Sequence, residues 1–100
     1  MKEIEWIVDA IDDELEDVEK YAKHAMKYKE TDKLFSDTCL EIAKQELRHS
    51  EMLHAVAVSL ITRYRAEHGE PPKDMQAVYD YTHKRYTDRV AKLKILVAQT

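Results

Sequence analysis

The stretch Ala43-Lys44-Gln45-Glu46-Leu47-Arg48-His49 decides how this chain is read. It lies in the middle of the longest helical pattern, where residues three apart share a face. Glu46 and His49 therefore point the same way, one turn apart, and a carboxylate and an imidazole so placed can hold one metal ion. Glu-x-x-His by itself is common on polar helices. Here it interrupts a stripe, Phe35, Cys39, Ile42, Glu46, His49, Leu53, Val56, Leu60, whose alternating spacings of four and three trace one helix face. The stripe is apolar except at Glu46 and His49. A charge inside an apolar stripe is costly unless it is paired or binds metal.

Working outward, the next segment back reads as a helix over about 3–28, with the face Ile4, Ile7, Ile11, Glu14, Val18, Tyr21, Ala25, Tyr28. Val8, Leu15, Ala22 and Met26 widen it. Glu14 is again a carboxylate within an apolar stripe. Glu16 has Asp12, Asp13, Glu19 and Lys20 one turn away and is expected to face water. Residues 29–32 break the pattern, and Thr31 or Asp32 can cap the helix that follows over about 33–68. Gly69, Pro71 and Pro72 end that helix. A third helix is expected over about 73–98, with the weaker face Met75, Tyr79, Thr82, Tyr86, Val90 or Arg89, Leu93 and Val97.

A loop this short makes the first two helices antiparallel neighbours. Glu14 lies about fourteen residues before the end of the first helix and Glu46 about thirteen after the start of the second, so the two carboxylates come level. Glu14, Glu46 and His49 are the expected metal ligands. Carboxylate and imidazole donors suit iron, manganese or zinc rather than soft-metal chemistry.

The composition agrees with helices: 36% of residues are charged, with one Gly and two Pro in 100 residues. One domain is expected. A formal net charge of −4 argues against nucleic-acid binding. Residues 1–19 carry nine acidic side chains and one Lys, whereas residues 83–94 carry Lys84, Arg85, Arg89, Lys92 and Lys94 against Asp88 alone. Solvated helix faces account for this asymmetry, and the acidic end can also attract cations. The single cysteine, Cys39, falls in the apolar stripe as a core thiol. No apolar run is long enough to span a membrane and no secretory signal is visible, so a cytoplasmic protein is expected.

Glu14, Tyr21 seven residues on, and Glu46 with His49 together resemble the ferritin-like superfamily. Ala43, three before Glu46, is similar to the rubrerythrin branch. Asp13-Glu14-Leu15-Glu16-Asp17-Val18-Glu19-Lys20-Tyr21 resembles the first-helix motif of encapsulated ferritins, which are half-length members. The resemblance covers about residues 8–64 and leaves the third helix aside. It implies an all-α, ferritin-like antiparallel helical hairpin with an added C-terminal helix, whose four-helix bundle is completed by dimerisation. A full-length member holds two irons with a Glu from each of two helices and Glu-x-x-His from the other two. This chain carries half of that set, so a homodimer or larger homo-oligomer supplies the rest.

The implied function is dinuclear iron binding at the subunit interface, with ferroxidase or peroxide-scavenging activity and Glu14, Glu46 and His49 as catalytic ligands. The Tyr21 hydroxyl is expected to bond one of the carboxylates. A non-enzymatic helical interaction module on the same scaffold is the alternative. Glu16 and Asp17 are expected to be solvated, although acids near this point form an uptake site in encapsulated ferritins. His24, His54, His68 and His83 read as surface or supporting residues. Asp80 and His83 repeat the acid-x-x-His spacing on the third helix, off its main face.

Overall fold

The computed structural model describes residues 2–100, and Met1 lies outside them. The chain is all-α: α1 Lys2–Tyr28, α2 Lys33–His68 and α3 Lys73–Gln99, with no strand among the described residues. At 1.5 Å per residue the 36 residues of α2 span about 54 Å. They set the length of the 56 Å rod into which the helices pack.

The helix ends follow local chemistry. Asp32 caps α2, its carboxylate accepting the Phe35 N–H at 3.1 Å, while Tyr28 and Phe35 pack edge to face across the loop at 4.9 Å. Gly69 closes α2 at φ 79°, a left-handed conformation that L side chains resist, and its N–H donates to the Arg65 carbonyl at 2.9 Å.

α1 and α2 form a tight antiparallel pair built on seven-residue columns. On α1 the buried column is Ile4, Ile11, Val18 and Ala25; on α2 it is Ser36, Ala43, Ser50 and Ala57. Large residues on one helix meet small ones on the other, so the backbones approach closely and the columns stay in register. At the loop end the Ser36 hydroxyl donates to the Ala25 carbonyl at 2.6 Å. Ser50 is fully buried and donates to the Leu47 carbonyl at 2.7 Å.

The axis of contact on α2 is therefore turned from the expected one. Within the stripe Phe35 to Leu60, only Cys39 is buried; Glu46, Leu53 and Leu60 are half-buried, while Phe35, His49 and Val56 are exposed. That stripe forms one flank of the hairpin. On α1 the column Ile7, Glu14, Tyr21 and Tyr28 contributes the same flank, with Ile7 meeting Leu53, Val56 and Leu60 beside Trp6. The opposite flank, from Val8 and Leu15 on α1 and His54 and Ile61 on α2, faces α3.

α3 runs antiparallel to α2 and buries Val90 and Leu93. Beneath its first half lies a groove of about 700 Å³, lined among others by Ile11, Leu15, Ala57, Ile61, Met75 and Tyr79. Polar contacts carry much of the attachment. Asp12 accepts from Arg85 at 2.7 Å and lies 3.6 Å from Arg89, Lys94 pairs with Glu51 at 3.2 Å, and Arg65 donates to Gln76 at 2.5 Å. The basic excess of α3 is thus partly spent against the acidic face of α1. Solvent-accessible pairs of this kind contribute about 0–1 kcal/mol each.

The other link is between imidazoles. His54 Nε2 and His83 Nδ1 lie 3.1 Å apart, and the His54 ring stacks on Tyr86 at 4.2 Å. Burial, with the neighbouring His83, pushes the His54 imidazole below its ordinary range. The unfolded chain therefore takes up a proton at His54 before the folded one does, and stability is lost as pH falls below about 6.5. The surrounding charges are Glu51 with Lys94 and, from α1, Asp12 with Arg85 and Arg89. We expect the melting temperature to drop between pH 7.5 and 5.5, and to drop less steeply in His54→Asn. Circular-dichroism melts of both proteins across that range test it; equal slopes would show that His54 is not the titrating group.

Candidate metal centre

Halfway along the flank away from α3, Glu14, Glu46 and His49 converge. One ligand atom from each lies within 4.8 Å of the other two. Glu14 comes from the α1 column that also holds Ile7 and Tyr21. Glu46 and His49 come from adjacent columns of α2, one turn apart. The four-residue loop sets the two helices level, so convergence follows from the hairpin's own register.

His49 Nδ1 stands 3.6 Å from Glu14 Oε2. That oxygen is buried and has no hydrogen-bond partner among the described residues. A buried carboxylate oxygen without a donor is a costly arrangement, because desolvation is not offset. A metal ion offsets it directly. The donor set fits such an ion: two carboxylates and a neutral imidazole give two negative charges, which one divalent cation balances, and the donor atoms are hard or borderline.

The centre is open on one side. The Glu14 side chain is 26% exposed and that of His49 51%. Along the same flank, away from the loop, Trp6 is 67% exposed and Val56 50%, and Phe35 is exposed at the loop end. The ligands therefore sit between two exposed apolar patches of the same flank.

Tyr21 is half-buried against the core, with Lys20 Nζ 5.7 Å from its ring centroid. No hydrogen bond joins its hydroxyl to Glu14 or Glu46 among the described residues, so the expected tie to a carboxylate is not made within one protomer. Glu16 is exposed, as its acidic neighbours suggested, and Asp17 is half-buried. Cys39 is a buried free thiol, seven residues before Glu46 on the same column of α2.

The residues that sequence reasoning placed apart are His54 and His83. They stand on the other flank and take no part in this centre. Their pairing joins positions 29 apart on different helices, for which no local pattern exists. Asp80 is turned toward its own helix, accepting from Gln76 at 2.8 Å. Comparison with known proteins finds no matching family model, no matching curated protein and no matching solved structure. No helix among the described residues is long and apolar enough to cross a membrane.

Proposed function

We propose that this chain binds a dinuclear metal centre, iron in the first place, at the interface of a ferritin-like homodimer, with ferroxidase or peroxide-scavenging activity. The observation that carries this reading is the convergence of Glu14, Glu46 and His49 around a buried carboxylate oxygen that lacks a donor. One protomer supplies half of a dinuclear set. A two-fold partner laid on the same flank would double it to four carboxylates and two imidazoles, and four carboxylates balance two divalent ions. The exposed Trp6, Phe35 and Val56, on the same flank to either side of the centre, support such a partner, since an isologous dimer would bury them.

In this arrangement Glu14 and Glu46 hold charge, His49 supplies a nitrogen donor, and the apolar flank excludes water once covered. Bound iron would supply the electrons that reduce oxygen or peroxide. The exposed acids of α1, Asp13 and Glu16 among them, raise the local cation concentration.

Metal and assembly are then linked. Without metal, four carboxylates brought together repel, and some must take up protons. An ion that binds only the assembled form stabilises it by about 2.7 kcal/mol at a hundredfold excess over its Kd. Chelator-treated protein given Zn(II), or Fe(II) without air, is expected to gain melting temperature and dimer fraction together, with two ions per dimer. Sedimentation velocity and calorimetry test this. A protein that stays monomeric with and without metal defeats the interface centre. A metal-free dimer of unchanged stability supports the helical interaction module.

A further inference from the structure

The His54–His83 pair lies on the flank away from the Glu14 centre and is independent of it. We propose that these two imidazoles form a second metal site, a two-nitrogen chelate for a late first-row divalent ion such as Cu(II), Ni(II) or Zn(II), which ties α3 to α2.

The spacing is right for chelation. With metal–nitrogen bonds of about 2.0–2.1 Å, two nitrogens on one ion stand about 2.9 Å apart at a right angle and about 3.4 Å apart at the tetrahedral angle. His54 Nε2 and His83 Nδ1 stand 3.1 Å apart, between these limits. The His54 ring is braced, and the two rings need only turn from their mutual hydrogen bond for both nitrogens to face one ion. Their planes lie 30° apart, and the His54 ring is held nearly parallel to Tyr86, 9° away. Stacking on Tyr86 restricts the His54 ring, which lowers the ordering cost of binding on that side.

Access and donor chemistry agree. His83 is exposed and His54 half-buried, and both line the groove beneath α3, which leaves room for water on the remaining coordination positions. Each histidine follows an acid by three residues, Glu51 and Asp80, yet neither acid joins. Glu51 is paired with Lys94 and Asp80 accepts from Gln76. The donor set is therefore neutral and all nitrogen. Such a set follows the order of affinity that favours Cu(II), with Ni(II) and Zn(II) behind it, over Fe(II) and Mn(II). The carboxylate-rich Glu14 centre is suited to harder ions, so the two sites differ in preference.

In the free protein one ring donates N–H to the other. Binding needs that proton moved to the ring's other nitrogen, or lost when a ring is charged, so affinity falls on acidification.

The test uses the 100-residue chain carrying His49→Ala, which disables the Glu14 centre, alongside His49→Ala/His83→Ala. His83 is exposed, so its removal leaves the core intact, and His83→Gln serves as a polar control. Cu(II) is titrated into each protein and followed by electron paramagnetic resonance, and Zn(II) by calorimetry. We expect one ion per chain, nitrogen hyperfine structure from two imidazoles, and a loss of affinity of tenfold or more in both His83 variants. A rise in melting temperature with Zn(II) should vanish with them. Equal binding by His49→Ala and the double variant overturns the proposal. So does a Cu(II) spectrum with one nitrogen or none. Loss of the proposed iron function in His49→Ala with this binding intact would separate the two sites.

Discussion

Replacing His49 by alanine is expected to lower the rate of Fe(II) oxidation about 100-fold or more, to that of buffer. Loss of a group that merely orients a metal ligand costs about 10–100-fold, and His49 would be the ligand itself. It is the only nitrogen donor in the cluster, and no other histidine belongs to it. The side chain is half exposed in the protomer, so its removal opens no cavity and the helices should remain intact. Glu14→Gln is the complementary variant. It keeps the shape but removes the charge on the buried, partnerless oxygen. We expect metal-free Glu14→Gln to melt above wild type while oxidising iron as poorly as His49→Ala. Glu16→Ala, on the solvated face, should slow uptake slightly or not at all. Stopped-flow absorbance after mixing anaerobic Fe(II) with oxygen or peroxide reads all three. Equal rates in wild type and His49→Ala would defeat the oxidase reading. A rate that follows Glu16 and ignores Glu14 would move the site to the wrong-facing carboxylate.

Leu15→Ala is expected to destabilise the chain by about 3 kcal/mol, lowering the melting temperature by roughly 15 °C. Leu15 has no exposed surface and lies in the core cluster with Val18, Ala43 and Leu47. It also lines the groove under α3, so the void would open into existing space and relax in part. That places the loss toward the lower end of the range for buried leucines. Val56→Ala should change the stability of the protomer by less than about 0.5 kcal/mol, because Val56 is half exposed. Urea unfolding at several protein concentrations separates the two. A Val56→Ala loss that grows with concentration would mean that a second chain covers this flank. A Leu15→Ala loss below about 1 kcal/mol would mean that the hairpin core repacks around the missing side chain.

The sequence by itself determined the helices. Their ends are local chemistry: an aspartate cap at Asp32, a glycine at Gly69 and the prolines after it. It also brought Glu14 level with Glu46 and His49. Polar residues interrupting an apolar period stand out, and a short loop fixes the register of two antiparallel helices. The all-α class followed from the same patterns.

Tertiary structure decided which residues face which neighbour. The α2 seam of Ser36, Ala43, Ser50 and Ala57 was hidden because small and polar residues do not look like a core. They are buried since they let the helix backbones close in, which is a property of the pair. The exposure of His49 and the apolar flank around it follows from that rotation. Likewise, the pairing of Asp12 with Arg85 and Arg89 depends on how the third helix lies across the first. His54 meets His83 because α3 turns back along α2, and contacts between separate helices leave no periodic trace in either one.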